Sequence, residues 1–256
     1  MIKPWTLIYV SSNEKTNYVK HKGHDCCRKF IGDLNRLTKT ADGKDRDVIA
    51  FAHNGQGFDL TFIQRALYKD KVEISNQLMN GAKTLSVTYR YEDSQVQFKD
   101  SMCFLRMFLD TAGKAFKLQA AKGFFPHALQ TRDSLYHTGQ FPSQDKFNPH
   151  HMKKDRRDEF LEWHAKEKKR FEEQGLVYGL QKERDFYCET AVKVLQGSCQ
   201  QFSERFQERC GFNPLREDVT IATACNREFK LNHVQANTIA VEPVNGWGGY
   251  NVNQSH

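Results

Sequence analysis

The sequence carries little that would staple the chain covalently or hold it in a membrane. Seven cysteines are scattered over 256 residues, an odd number, and none forms a C-x-x-C pair. That argues against a disulfide framework. No run approaches the ~18 apolar residues of a membrane span. The opening "MIKPWTLIYVSSNEK" turns polar after Val10, too early for a secretory signal. An intracellular protein without a membrane partner is the expectation. Only six prolines occur, three of them between Phe124 and Pro149, which marks that stretch as loop-rich. There is no internal repeat and no low-complexity segment.

What the chain does have is positive charge. Lys and Arg outnumber Asp and Glu by seven, and the pI is near 9.0. A basic surface favours an anionic partner, nucleic acid first. The densest segments, "HHMKKDRR" and "KEKKRFEE", also hold acids, so they read as solvated helix faces with i,i+4 ion pairs. "HKGHDCC", His21 to Cys27, crowds four possible zinc ligands together but has no second pair at usable spacing. It reads as a surface loop.

Periodicity gives interleaved strands and helices, hence an α/β class. Strands are expected at Trp5–Val10 and Val48–His53, a hairpin at Thr84–Tyr91 and Val96–Leu105, and a short strand at Thr238–Glu242. Helices are expected at Cys27–Leu37, Leu60–Tyr68, Asp110–Leu118, Lys153–Glu173, Lys182–Phe206 and Val219–Leu231, with Asp110 or Thr111 capping the third.

One junction carries chemistry. In "AFAHNGQGFDLTFI" an apolar run ends at His53-Asn54, passes two glycines, and places Phe58-Asp59 where a new helix begins. A lone Asp there serves as a helix-start carboxylate. With further acids, it would instead help hold divalent ions.

"HNGQGFD" resembles the second exonuclease motif of family B DNA polymerases, an Asn followed after a short gap by Phe or Tyr and then Asp. "FKDSMCFLRMFLDTAGKAFKL" and "KGFFPHAL" resemble the protein-primed branch, where a D-S-L strand leads to a K-G-F/Y-F-P-H stretch. "YCETAVKVLQGSCQQF" resembles that branch's third motif, Tyr-x-x-x-Asp on a helix. "TIATACNREFKLNHVQANTIAVEP" and "NGWGGYNVNQSH" resemble the segments running toward its palm. The likeness spans roughly Val48 to His256 in the family's order. Its carriers include Polinton-type transposons, linear plasmids and related viruses.

The resemblance implies an RNase H-like mixed sheet flanked by helices, with the first strand missing or altered. It divides the chain into an atypical N-terminal part (1–47), an exonuclease-like domain (48–210) and a connector (211–256) leading toward a palm domain. Asn54, Phe58 and Asp59 match the second motif, and Tyr187 the tyrosine of the third. His53 and Ser101 fall where the family touches a single-stranded 3′ end. Mg²⁺ is the family's cofactor; DNA and a terminal protein are its partners.

Two departures stand out. The third-motif Asp is Ala191 here, and neither Glu189 nor Asp185 replaces it, lying about 200° and 240° round the helix. The first strand, "WTLIYVSS", carries no Asp-x-Glu, and Asp45-x-Asp47 lies in a loop. Asp59 is left as the single metal carboxylate, so Asp59 and Tyr187 are expected to be vestigial and the chain alone inactive. Asp45, Asp47 and Asp100 are the acids to test should it cut DNA. No Asp-rich palm motif follows Tyr250, so a fragment or decayed copy of a polymerase is expected. The alternative is a domesticated, non-catalytic protein that binds single-stranded nucleic acid.

Overall fold

A computed structural model describes residues 6–11, 17–119, 123–131, 134, 136–235 and 238. Strands β1 (Thr6–Tyr9) and β2 (Val19–Lys22) form an antiparallel pair. Helix α1 (Cys26–Leu37) follows, then β3 (Val48–Ala52) and α2 (Asp59–Lys69). A meander of β4 (Ile74–Asn80), β5 (Lys83–Tyr91) and β6 (Ser94–Asp100) completes the main sheet. Its order is β3-β6-β5-β4, with β3 parallel to β6 and the other neighbours antiparallel.

Alternation along β5 and β6 sets the two faces. Val87, Tyr89, Val96 and Phe98 pack against Ile31 and Leu34 of α1 and Leu60, Ile63 and Leu67 of α2. This is the main core. The opposite face is more polar. Lys99, fully buried there, donates from Nζ to the carbonyls of Leu215 (2.9 Å), Arg216 (3.1 Å) and Asp218 (2.7 Å). Three acceptors require the charged ammonium, burial opposes it, and the pKa falls to about 8. Lys99 thereby ties the sheet to α6 (Pro214–Glu217).

Between them run α3 (Leu109–Ala115), β7 (Thr138–Gly139), α4 (Lys154–Glu173), β8 (Tyr178–Gly179) and α5 (Leu180–Cys210), and α7 (Ile221–Asn232) follows α6. The mixed sheet flanked by helices agrees with the α/β expectation. On α4, Lys168–Glu172 (3.7 Å) and Lys169–Glu173 (3.6 Å) are the expected i,i+4 pairs.

Several expectations need correction. β4 falls in a stretch for which the sequence announces no element, since ISNQLMN is largely exposed on a sheet edge and shows no alternation of apolar residues. β2 is a strand that the sequence does not announce. Its His21 bonds Asp33 of α1 at 2.5 Å, and Asp33 also accepts from Tyr9 Oη at 2.6 Å. Cys26 and Cys27 are buried at the start of α1, not displayed on a surface loop. The second hairpin strand stops at Asp100, whose side chain accepts from Met102 N and caps a 3-10 turn over Ser101–Cys103. Helix α3 begins at Leu109 with Phe108 as its cap, which leaves Asp110 in the first turn. The expected strand Thr238–Glu242 lies outside the described residues apart from Thr238.

Candidate functional site

Parallel pairing of β3 with β6 sets the geometry. Ala52 stands opposite Asp100, so the chain leaves both strands at adjacent points. His53 and Asn54 continue from one, Ser101 from the other. His53 Nδ1 lies 2.9 Å from Ser101 Oγ, and Nε2 lies 2.9 Å from the Met107 carbonyl. A carbonyl only accepts, so Nε2 carries a proton. The Ser101 hydroxyl, with one proton to give, serves either Nδ1 or the Ala52 carbonyl 3.0 Å away.

The loop between β3 and α2 is wound round Asp100. This carboxylate is fully buried and accepts from the amides of Asn54 (2.9 Å), Gln56 (3.1 Å) and Met102 (2.9 Å). Asn54 takes a left-handed conformation (φ 63°), which Asn tolerates better than most residues. Gly55 is required by space: a Cβ there would meet the Ala52 Cβ at 2.9 Å. The loop then delivers Phe58, 70% exposed, as the cap of α2, and Asp59 as its first residue.

Asp59 is exposed on its outer side, yet its carboxyl sits above the usual carboxylate range. Desolvation by the surrounding protein is the main cause, and the negative charge of Asp100 adds to it. A hydrogen bond from its own backbone amide offsets part of that rise. His53, Asn54, Phe58, Asp59 and Ser101 thus gather at the ends of β3 and β6, with Asp100 as the organising group. The mouth of a sheet's strand ends is a recurrent place for ligands in α/β proteins. Asp100 stands in the quoted D-S-L element, where the sequence marks it only as a fallback acid; the parallel register is the signal that gives it a role as amide acceptor.

Tyr187 lies in a different setting. Its ring packs 5.2 Å from Phe125 and 5.9 Å from His127, beside a cluster of Phe125, Phe171, Tyr178 and Leu180. Ala191, one turn on, is half-buried. Asp185 and Glu189 point elsewhere on α5: Asp185 meets Lys22 Nζ at 2.6 Å, and Glu189 pairs with Lys20, both from β2. Asp47 accepts from the Gln95 amide at 2.8 Å, and Asp45 bonds Lys39 at 2.5 Å. Each of these acids has a protein partner.

Comparison with known proteins completes the picture. The profile of the family described as DNA polymerase type B, organellar and viral, matches residues 40–245. This chain belongs to that family. The chain is also 26% identical over 155 residues to a "Probable DNA polymerase" of Agaricus bitorquis, covering 58% of this chain and 19% of the relative. It is 31% identical over 123 residues to a "DNA polymerase" of Kluyveromyces lactis, covering 47% of this chain and 12% of the relative. The matched stretches therefore span a fifth or less of these two relatives. No solved structure matches the chain. No helix among the described residues is long and apolar enough to cross a membrane.

Proposed function

We propose that this chain is the 3′–5′ exonuclease-like, single-strand-binding region of a protein-primed type B polymerase, built on an RNase H-like sheet with a degenerate metal site. The observation that carries this reading is the cluster at the ends of β3 and β6. His53, Asn54, Phe58, Asp59 and Ser101 are the residues the family resemblance marks, and they meet around the buried Asp100. In the parent polymerase the partners would be DNA and a terminal protein, and Mg²⁺ the cofactor.

The donor set here does not fit two divalent ions. Ala191 offers a methyl group where the family has a carboxylate. Asp100 is committed to three backbone amides, two on Oδ1 and one on Oδ2. Asp185 and Glu189 are neutralised by lysines. Asp59 alone remains, and one carboxylate cannot hold two ions at catalytic spacing. What this site can do without metal is hold a strand end. The exposed Phe58 ring offers a base a stacking surface, and the excess of lysine and arginine draws the phosphates.

Fluorescence anisotropy with a labelled single-stranded oligonucleotide tests this. Affinity is expected to fall linearly on a log–log plot as salt rises, through counterion release. Affinity independent of salt, or no binding at low salt, would remove the nucleic-acid reading.

A further inference from the structure

A groove runs between β2 and the first turns of α5, on surface that the cluster at the ends of β3 and β6 does not use. Its volume is about 430 Å³, and Lys20, Lys22, Lys182, Asp185, Phe186 and Glu189 line it. Alternation along β2 sends His21 toward Asp33 of α1 and turns Lys20 and Lys22 toward α5. On the helix, positions 182, 185, 186 and 189 fall on one face. Tyr187 and Ala191, each two residues beyond one of the two acids, lie about 200° further round. The groove therefore faces away from the third-motif positions.

Lys22 Nζ donates to Asp185 at 2.6 Å and Lys20 pairs with Glu189, yet both lysine side chains stay 38% exposed. An ammonium has three donors, and a single carboxylate oxygen engages one of them. Each acid thus fixes its lysine at the groove wall, so part of the ordering cost is met before a ligand arrives. Lys182 has no ion-pair partner among the described residues, so three cations face two carboxylates. Among these charges the Phe186 ring stands 65% exposed. An exposed aromatic ring beside lysines suits a single strand, which offers the flat face of a base next to phosphates. The positive excess of the whole chain and its polymerase family favour the same partner.

We propose that this groove is a second contact for single-stranded nucleic acid, with Phe186 stacking a base and Lys20, Lys22 and Lys182 drawing the phosphates. The assignment rests on the DNA-binding reading and adds to it a contact on another face of α5. The groove's volume lies within the range of small-ligand sites, room for one nucleotide of the strand.

Fluorescence anisotropy with a labelled single-stranded oligodeoxynucleotide, on the full chain and on single variants, tests the groove. Phe186→Ala weakens binding about fivefold or more, the loss of one stacked base, and leaves the salt slope unchanged. Lys182→Gln lowers the log–log salt slope by about 0.7, one phosphate contact on a single strand. Both side chains are exposed, so each variant melts with the parent. An oligonucleotide carrying 5-iodouracil cross-links to Phe186 under ultraviolet light, read by peptide mass spectrometry. Unchanged affinity in Phe186→Ala, or cross-links confined to other segments, overturns the groove. Polyglutamate displacing the strand equally from the parent and from Phe186→Ala marks a patch for acidic polymers and overturns it too. Phe58→Ala separates the two contacts. Weakening by Phe186→Ala alone keeps the groove and removes the strand-end site; weakening by Phe58→Ala alone keeps that site and removes the groove.

Discussion

Replacing Asp100 by Asn isolates the group that holds the candidate site together. The carboxylate accepts three backbone amides at 2.9–3.1 Å. An amide keeps one accepting oxygen. With that oxygen at the Oδ1 position, the Asn54 and Met102 amides stay bonded but lose the help of a charged acceptor, about 1 kcal/mol each. The Gln56 amide would face a second donor and be orphaned, at about 1–3 kcal/mol. Relief of a buried charge and of its repulsion with Asp59 returns part of this. The net expectation is a loss of about 2–4 kcal/mol. Urea unfolding reads it as a lower midpoint with an unchanged slope. Amide exchange at Asn54 and Gln56 should quicken, and NMR titration should find the Asp59 pKa lower than in the parent. A loss below about 0.5 kcal/mol, the size of an ordinary surface substitution, with exchange unchanged at both amides, would refute the role given to Asp100.

Three other outcomes follow from the same structure. Phe58→Ala should weaken single-strand binding by about 1–3 kcal/mol if the ring stacks a base, with no change in salt slope; an altered slope with unaltered affinity at reference salt would contradict stacking. Lys99→Met should destabilise the fold by about 2–5 kcal/mol, since the Leu215 and Asp218 carbonyls are left buried without a donor. Because burial lowers the folded-state pKa of Lys99 to about 8, the unfolded chain binds more protons above that pH, so its contribution to stability should rise from about pH 8 toward the ordinary lysine range. A parent-minus-variant difference that falls over that window would reverse the sign. For Asp59 the folded-state pKa is raised, so the parent should lose stability relative to Asp59→Asn as pH climbs from about 4 through the raised value, and chemical unfolding of the two across that window measures it.

Much of the architecture was legible where burial imposes a period. Helix α2 announced itself through Ile63, Ala66 and Leu67, and the observed Asp59–Lys69 differs from the expected span by a residue at each end. The long α5 and the charged α4 were equally plain. Strand β4 was not, because an exposed edge strand buries too little to leave an apolar pattern. β2 escaped for a related reason. It is held by polar contacts from His21, Lys20 and Lys22, which look in sequence like a solvated loop.

The site divides the same way. His53, Asn54, Phe58, Asp59 and Ser101 could be marked from motifs, and four of these five are contiguous or nearly so in sequence. Asp100 as an amide acceptor depends on the register of β3 against β6, which sequence spacing does not reveal. The aromatic surroundings of Tyr187 come from residues some 60 positions away and were equally hidden. β1 pairs with β2 in a sheet of its own, while β3, among the described residues, is hydrogen-bonded only to β6. This bears on the expectation of an altered first strand, since no β1 residue joins the main sheet.

The most direct test of the central proposal is a digestion assay on a 3′-ended single strand in Mg²⁺ or Mn²⁺. The unmodified chain is expected to bind the strand and leave it intact, because a lone Asp59 cannot hold two ions at catalytic spacing. Ala191→Asp by itself should restore little. Robust 3′→5′ digestion by the unmodified chain, abolished by Asp59→Ala, would contradict the degenerate site and send the search for metal ligands to Asp100, Asp45 and Asp47.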